Sequence, residues 1–287
     1  MTDVYQMVTD RIIQALEAGT VPWIQPWVGR GGAIKHRDGQ PYSILNQFLL
    51  GKEGEYLSYK EAQQCGGHVK QGAKGRIVVF YKMLKYDSGE EADTDTVVKT
   101  IPILRYYTVF HIDDCEGVEP KWDGKHFDTQ TIDDAQKVLD DYKTRCNVGT
   151  LHDSKNRAFY RPSEHAINLP DIDQFESAEE YYSTAFHEAV HSTGHHTLLD
   201  RFPVDAMPAA FGSESYSKEE LVAEIGACTI LNHLGIETAG TFRNSTAYIN
   251  GWLHALKGEK NLIVSAAGKA QKAVNLILQL DNDTNAE

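Results

Sequence analysis

The sequence contains few cysteines, no long apolar run and no excess of positive charge. Only 4 of its 287 residues are cysteines, and no two form a Cys-x-x-Cys pair. It therefore predicts reduced thiols, with no disulfide framework and no zinc knuckle. No stretch approaches the roughly 18 apolar residues of a membrane span. The first residues lack a basic segment followed by an apolar run, so we expect no signal peptide and a cytoplasmic protein.

Basic residues are scarce overall but concentrated in one segment. Lys and Arg number 28 against 41 Asp and Glu, a formal net charge of −13, which excludes a uniformly basic surface for nucleic acid. Residues 30–85 nevertheless hold ten basic and four acidic side chains, whereas residues 127–287 hold 13 and 24. A solvated surface and a phosphate-binding surface both explain such a segment, so charge alone leaves both interpretations open.

Turn-forming and acidic residues without periodicity, near residues 117–128, predict a boundary between two domains, 1–126 and 127–287. Helical patterns dominate the second half, and the first half mixes helical and strand patterns. We therefore predict an α+β fold of two domains, a small α+β domain followed by a mainly helical one. The main predicted elements of the first half are a helix at 3–18, strands at 76–84 and 97–112, and a polar loop at 86–96.

Residues 187–191, His-Glu-Ala-Val-His, match the His-Glu-x-x-His pattern of zinc hydrolases. Ser177 and Glu180 have the spacing of a capping box, so a helix should begin there and continue through the motif. His187 and His191 then lie one turn apart on one face, where both imidazoles can reach one tetrahedral Zn²⁺. Glu188 lies beside them and is placed to accept a proton as the catalytic base.

A catalytic zinc needs a third protein ligand, and one candidate source is a histidine soon after the motif. The extended pattern His-Glu-x-x-His-x-x-Gly-x-x-His fits Gly194, but its last position is Thr197. His195 and His196 lie two residues and one residue too early. The sequence therefore has no third histidine ligand at the spacing of this extended pattern.

The other candidate source is an acid on the next predicted helix, 217–231. Glu220 and Glu224 lie on one face of that helix, and we assign Glu220 as the ligand and Glu224 as the acid that hydrogen-bonds a ligating histidine. The alternative for Glu220 is a capping box with Ser217. Imidazole and carboxylate ligands suit Zn²⁺ and do not select strongly against Mn²⁺ or Fe²⁺.

Several dispersed segments of both halves resemble, in order, those of one protein family. They are residues 4–27, 41–46, 57–82, 106–117, 186–201, 219–227 and 248–273. These segments are similar to those of the ArdC-type antirestriction proteins, and the resemblance covers nearly the whole chain. It implies a single-stranded-DNA-binding domain followed by a zincin-like metallopeptidase domain, in an accessory protein of a plasmid, phage or other mobile element. It also implies a protein substrate of unknown identity, with a restriction-system component as one candidate. The lack of a long apolar run separately predicts no membrane partner.

The first half has aromatic and basic residues interleaved, a pattern that suits base stacking and phosphate contacts on single strands. The turn at residues 70–75, Lys-Gln-Gly-Ala-Lys-Gly, is the best local candidate because its glycines let the backbone approach phosphates. For any single aromatic residue, a place in the core is the more frequent outcome. The predicted DNA-binding residues are Trp23, Trp27, Arg30, Lys60, Lys70, Lys74, Arg76 and Lys82.

Two functions remain open from the sequence. The first is a DNA-associated metallopeptidase, and the second is a single-strand-coating module whose zinc domain has only a structural or docking role. Glu188 favours the first, because a structural zinc needs no general base and is usually closed by four protein ligands. For the peptidase we also expect the strand near residues 165–170 to be a sheet edge that aligns an extended substrate.

Overall fold

The computed structural model describes residues 3–24, 32–92, 95–122, 132–154, 157–202, 214–236 and 246–280. Helices dominate the second half of the chain, and the longest strands lie in the first half. The helices are α1 (Val4–Glu17), α2 (Ile44–Leu50), α3 (Tyr59–Gln64), α4 (Ile132–Arg145), α5 (Ala178–Ser192), α6 (Glu214–His233), α7 (Thr246–Gly258) and α8 (Leu262–Leu278). The strands are β1 (Ala33–Lys35), β2 (Gly54–Leu57), β3 (His68–Val69), β4 (Arg76–Ala92), β5 (Asp95–His111), β6 (Cys115–Glu116), β7 (Gly149–Leu151), β8 (Phe159–Arg161) and β9 (Ala166–Asn168).

Helix α1 has a capped N-terminus and buries the apolar residues that recur along it at helical spacing. Asp3 caps α1, because its side chain accepts a hydrogen bond from the backbone N–H of Gln6 at 3.2 Å. Val8, Ile12 and Leu16 recur at helical spacing and are fully or almost fully buried. The predicted helix at 3–18 is therefore confirmed, shorter by one residue at each end.

A four-stranded sheet with the order β1-β2-β5-β4 forms the centre of the first half. Its longest pairing is the antiparallel β4–β5 hairpin, which continues through Asp87–Val98 and, beyond a register shift, Glu91–Thr96. The prediction of a polar loop at 86–96 is therefore wrong for most of these residues, which form strands. Backbone pairing between the strands outweighs the polar composition there. Residues 93 and 94 lie outside the described ranges.

A three-stranded sheet with the order β7-β9-β8 precedes α5. The segment expected to be a sheet edge, residues 165–170, contains β9. This strand pairs with β7 on one side and β8 on the other. The expectation of an edge strand is wrong, because both backbone edges of β9 are already hydrogen-bonded and cannot align a substrate.

The main hydrophobic core joins the two ends of the chain. Ile12 of α1 and Trp23 belong to the same buried cluster as Phe186 of α5, Ile225 of α6 and Val274 of α8. The α+β prediction, with a mainly helical second half, is confirmed. The predicted boundary at residues 126/127 lies outside the described residues, so the division into 1–126 and 127–287 stays a prediction. No described helix is both long and apolar enough to cross a membrane.

Candidate metal centre and nucleic-acid interface

Helix α5 presents the His-Glu-x-x-His motif. Its first turn is capped by Ser177, whose hydroxyl accepts the N–H of Glu180 at 3.2 Å. The helix ends at Ser192, so both histidines and Glu188 lie within its last two turns. This regular helix places the two imidazoles one turn apart on the side that faces α6.

Three side chains converge at this point. The Nε2 atoms of His187 and His191 are 3.1 Å apart. The carboxylate of Glu220, on α6, lies 3.3 Å from each of these two nitrogens. Ligands at 2.0–2.1 Å from a tetrahedral Zn²⁺ lie about 3.3 to 3.4 Å from one another. The two imidazole nitrogens and the carboxylate of Glu220 therefore have the spacing of a tetrahedral metal site, and the described residues contain no other such group of three or more His, Cys, Asp or Glu.

Each imidazole has one further carboxylate on its other side, next to Nδ1. Oε2 of Glu224 lies 3.6 Å from Nδ1 of His187, and Oε1 of Glu219 lies 3.6 Å from Nδ1 of His191. An acid on Nδ1 keeps the proton there and leaves Nε2 free for a metal. Glu219 has no such sequence signal. Helical periodicity groups Glu220 with Glu224, but it does not show that the adjacent Glu219 reaches His191.

Arg201 holds Glu219 in place. Its Nη2 donates to Oε1 of Glu219 at 2.7 Å, and its Nε donates to the same carboxylate at 3.2 Å. The guanidinium also donates to the carbonyl of Val190 and the hydroxyl of Thr193, each at 2.8 Å. Arg201 is therefore tied both to the C-terminal end of α5 and to α6, which fixes the distance between the helices beside His191.

The charges of the centre favour ionised carboxylates. Burial alone would lower the pKa of His187, but Glu220 and Glu224 raise it well above its ordinary value. Burial alone would raise the pKa of Glu220, but the two histidines hold it far below its ordinary value. Burial likewise opposes ionisation of Glu219, whose pKa is lowered by His191 and Arg201. A site of two imidazoles and anionic oxygens fits a divalent cation in donor type as well as in spacing.

The close approach of α5 and α6 depends on Gly226. A Cβ atom added there would lie 2.8 Å from Cγ2 of Val190, on the same helix as the two histidines. Ala189 and Val190 are fully buried in this contact region. A glycine at this position therefore lets α6 come near enough for its glutamates to reach the imidazoles of α5.

Glu188 differs from the other acids of the centre. Its side chain is buried, with 9% relative exposure, yet its carboxylate makes no hydrogen bond with any described residue. It lies next to His187 in the chain and raises the pKa values of His187 and His191 by charge. A carboxylate that is not engaged by protein donors is available to accept a proton from a bound water.

The structure places the predicted DNA-binding residues in different environments. Trp23 is fully buried and packs edge-on against Trp252 at 5.1 Å, so the prediction that it stacks on bases is wrong. The guanidinium of Arg76 donates to the carbonyl of Leu50, and Nζ of Lys70 donates to that of Asp113 at 2.8 Å. The exposed cations of the predicted set are Lys60, Lys70, Lys74 and Lys82, and Trp27 and Arg30 lie outside the described residues.

One face of the β4–β5 hairpin, the face on which Val78 is buried, combines aromatic rings and cations. Phe80 pairs with Arg105 across the strands, and Lys82 and Tyr107 lie two residues away on the same face. The rings of Phe80 and Tyr107 are 5.8 Å apart and half-buried, whereas Lys82 and Arg105 are exposed. Arg105 has no sequence signal of its own, because only the strand register shows that it lies beside Phe80.

Comparison with solved structures identifies the relatives of this fold. The metal-free crystal structure of the antirestriction protein ArdC from plasmid R388 is 36% identical, with a TM-score of 0.73. The match covers 97% of this chain and 98% of that one. The chain belongs to the ArdC antirestriction family. The Mn(II)-bound structure of the R388 protein has a TM-score of 0.74 and 34% identity, over 100% of this chain and 99% of that one.

Two family models and several curated proteins also match this ArdC-family chain. Residues 2–110 match the N-terminal domain of anti-restriction factor ArdC, and residues 138–269 match a zincin-like metallopeptidase. DNA primase TraC of Escherichia coli is 32% identical over 96% of this chain, which spans only 27% of TraC. The uncharacterized protein y4eC of Sinorhizobium fredii is 27% identical, over 94% of this chain and 90% of its own length.

Proposed function

We propose that this ArdC-family protein is an antirestriction factor that binds single-stranded DNA through its first half and hydrolyses peptide bonds at a divalent-metal site in its second half. The observation that supports hydrolysis most strongly is the convergence of His187, His191 and Glu220 within 3.1–3.3 Å, with the buried, unengaged Glu188 beside them. Three protein donors leave a fourth position of a tetrahedral site for water or substrate.

Each side chain has a defined part in this proposal. His187, His191 and Glu220 hold the cation, and Zn²⁺ is the expected ion, with Mn²⁺ or Fe²⁺ accepted by the same donors. The cation would supply Lewis acidity and lower the pKa of its water to about 7. Glu188 accepts the proton that the attacking water loses and returns it to the departing amine. Glu219 and Glu224 hold the imidazoles in the orientation that directs both Nε2 atoms to the same point.

Single-stranded DNA is the proposed partner of the hairpin face. Phe80 and Tyr107 offer ring surface, while Lys82 and Arg105 offer charge for phosphates on the same side of the sheet. The second half is strongly acidic and repels a phosphate backbone, which favours binding by the first half. A component of a restriction system is the proposed protein substrate, because the family is defined by antirestriction.

The alternative is a DNA-coating module in which the metal only supports the fold. Glu188→Gln separates the two, because it keeps the size and polarity of the side chain but removes the base. We expect the variant to retain metal and single-stranded DNA binding and to lose protection of transferred DNA against a restriction enzyme. Protection equal to that of the wild type would favour the alternative. The metal content, measured on both proteins, is the control.

A further inference from the structure

A second cluster of reactive groups lies in the first half, at the end of α3. Sγ of Cys65 lies 3.6 Å from Nε2 of His36, and Nδ1 of His36 lies 2.5 Å from Oε2 of Glu55. His36 and Glu55 are almost completely buried, with relative exposures of 2% and 4%, whereas Cys65 is exposed. The other three cysteines are buried, and among the described residues none of their thiols contacts a histidine ring; that of Cys115 donates to the backbone carbonyl of His111.

The hydrogen bonds of Glu55 determine the state of His36. Its carboxylate accepts the backbone N–H groups of Lys121 at 3.0 Å and Trp122 at 2.8 Å, which is the pattern of an ionised carboxylate. Such a carboxylate has no proton to donate, so Nδ1 of His36 donates to Glu55. The lone pair of Nε2 then points at Cys65, its only hydrogen-bond partner among the described residues.

The backbone holds this arrangement in place. The N–H of His36 donates to the carbonyl of Tyr56 at 2.9 Å, in the parallel pairing of β1 with β2. The indole Nε1 of Trp122 donates to the carbonyl of His36 at 3.0 Å. These bonds fix the main chain of His36, and the bond to Glu55 directs its imidazole, which is what a nucleophile–base–carboxylate arrangement requires.

We propose that Cys65 is a nucleophilic thiol that exchanges with small-molecule disulfides, with His36 as the proton acceptor and Glu55 as the residue that positions His36. The proton of Cys65 moves to Nε2 of His36, and the thiolate attacks one sulfur of the disulfide. A bond forms between Cys65 and that sulfur, the original S–S bond breaks, and the departing thiolate takes the electron pair. The product is a mixed disulfide on an exposed residue, a modification separate from the metal centre.

The direct test measures the rate of reaction of the native full-length chain with 4,4′-dithiodipyridine, an uncharged disulfide, at pH 7. The reference is a synthetic peptide of residues 62–67, which contains the same cysteine without His36. An ordinary thiol is a few per cent ionised at pH 7. A thiol that is more ionised has more of the reactive thiolate, and this increase in rate exceeds the decrease caused by the lower nucleophilicity of each thiolate. We expect one thiol per chain to react about 2- to 4-fold faster than the peptide. A rate equal to or below that of the peptide would overturn the proposal.

Two variants identify which thiol reacts fast with the disulfide and which side chain accepts its proton. Cys65→Ser should remove the fast phase and leave the slow reaction of Cys115, Cys146 and Cys228. His36→Asn should lower the rate to that of the peptide, and an unchanged rate in the folded variant would contradict the role of His36. If the variant unfolds, four thiols react together, and the comparison of wild type with peptide still decides the proposal.

Discussion

Arg201 and Glu219 form a bidentate ion pair that connects the loop after α5 to α6, with Nη2–Oε1 at 2.7 Å and Nε–Oε2 at 3.2 Å. Arg201 is only 6% exposed and Glu219 only 17%. Because Glu219 also contacts Nδ1 of His191, the pair connects the packing of two helices to the orientation of one metal ligand.

Arg201→Lys should weaken metal binding. A lysine cannot form the two parallel hydrogen bonds to Glu219 and also reach Val190 and Thr193, so His191 loses its fixed orientation. Loss of such a supporting contact typically lowers metal affinity about 10- to 100-fold. Isothermal titration with Zn²⁺ and with Mn²⁺ measures the effect. Arg161→Lys is the matched control, because Arg161 pairs with two acids on the surface, away from the centre. Equal affinities in both variants would show that Arg201 does not position His191.

Gly226→Ala should separate α6 from α5. The added methyl group meets Val190 at 2.8 Å in a packed interface, and such overpacking costs about 1–3 kcal/mol. We expect a lower free energy of unfolding and weaker metal binding, because Glu219, Glu220 and Glu224 move with α6.

Gly268→Ala is the matched control for that change. Gly268 lies in α8, is exposed and has no atom within 4 Å of an added Cβ. Alanine should therefore stabilise the helix by about 0.5–1 kcal/mol without altering metal affinity. Urea denaturation measures both variants. A Gly226→Ala protein as stable as wild type would contradict the close packing at this position.

Binding to single-stranded DNA should depend on Lys82 and Arg105. Each phosphate contact that is lost reduces the slope of log K against log salt by about 0.7 for single strands. We expect Lys82→Ala and Arg105→Ala to weaken binding to an unstructured oligonucleotide, with a lower slope in each case. Lys269→Ala, an exposed cation on α8 in the acidic half, is the control and should change neither quantity. If all three variants bind alike, the hairpin face is not the DNA site.

A bound metal should stabilise the protein through His187. A ligand present at 100 times its dissociation constant adds about 2.7 kcal/mol to the free energy of unfolding. Thermal unfolding should therefore shift upward when Zn²⁺ is added and downward with a chelator. His187→Ala should remove both shifts. A shift of full size in this variant would show that the stabilising ion binds elsewhere.

The sequence predicted the helices of the centre but not the contacts between them. Ser177 and the apolar spacing of α5 were sufficient to place the motif on a helix, because capping and periodicity are local. The packing of α6 across α5 is not local, so neither Glu219 nor its partner Arg201 had a sequence signal. For the same reason the sequence could not show that Trp23 is buried against Trp252, since the two residues are far apart in the chain.

The position of a strand within its sheet could not be predicted from the sequence either. The residues of β9 are compatible with an edge or a central strand, and only pairing with β7 and β8 decides between them. A substrate aligned by backbone pairing therefore needs an edge other than β9. Likewise, the polar residues that suggested a loop at 86–96 are tolerated in a two-stranded hairpin, where backbone hydrogen bonds set the conformation.

The most direct test of the metallopeptidase account is hydrolysis of an unstructured protein substrate by metal-loaded wild type and by metal-loaded Glu188→Gln, with and without single-stranded DNA. Metal content is measured on each sample, so that loss of activity is not confused with loss of the ion. The account predicts cleavage by wild type and a loss of at least about 100-fold in the variant, the upper range for removing a general base being about 10⁴-fold. Equal cleavage by both proteins, or no cleavage by a fully loaded wild type with DNA present, would contradict it.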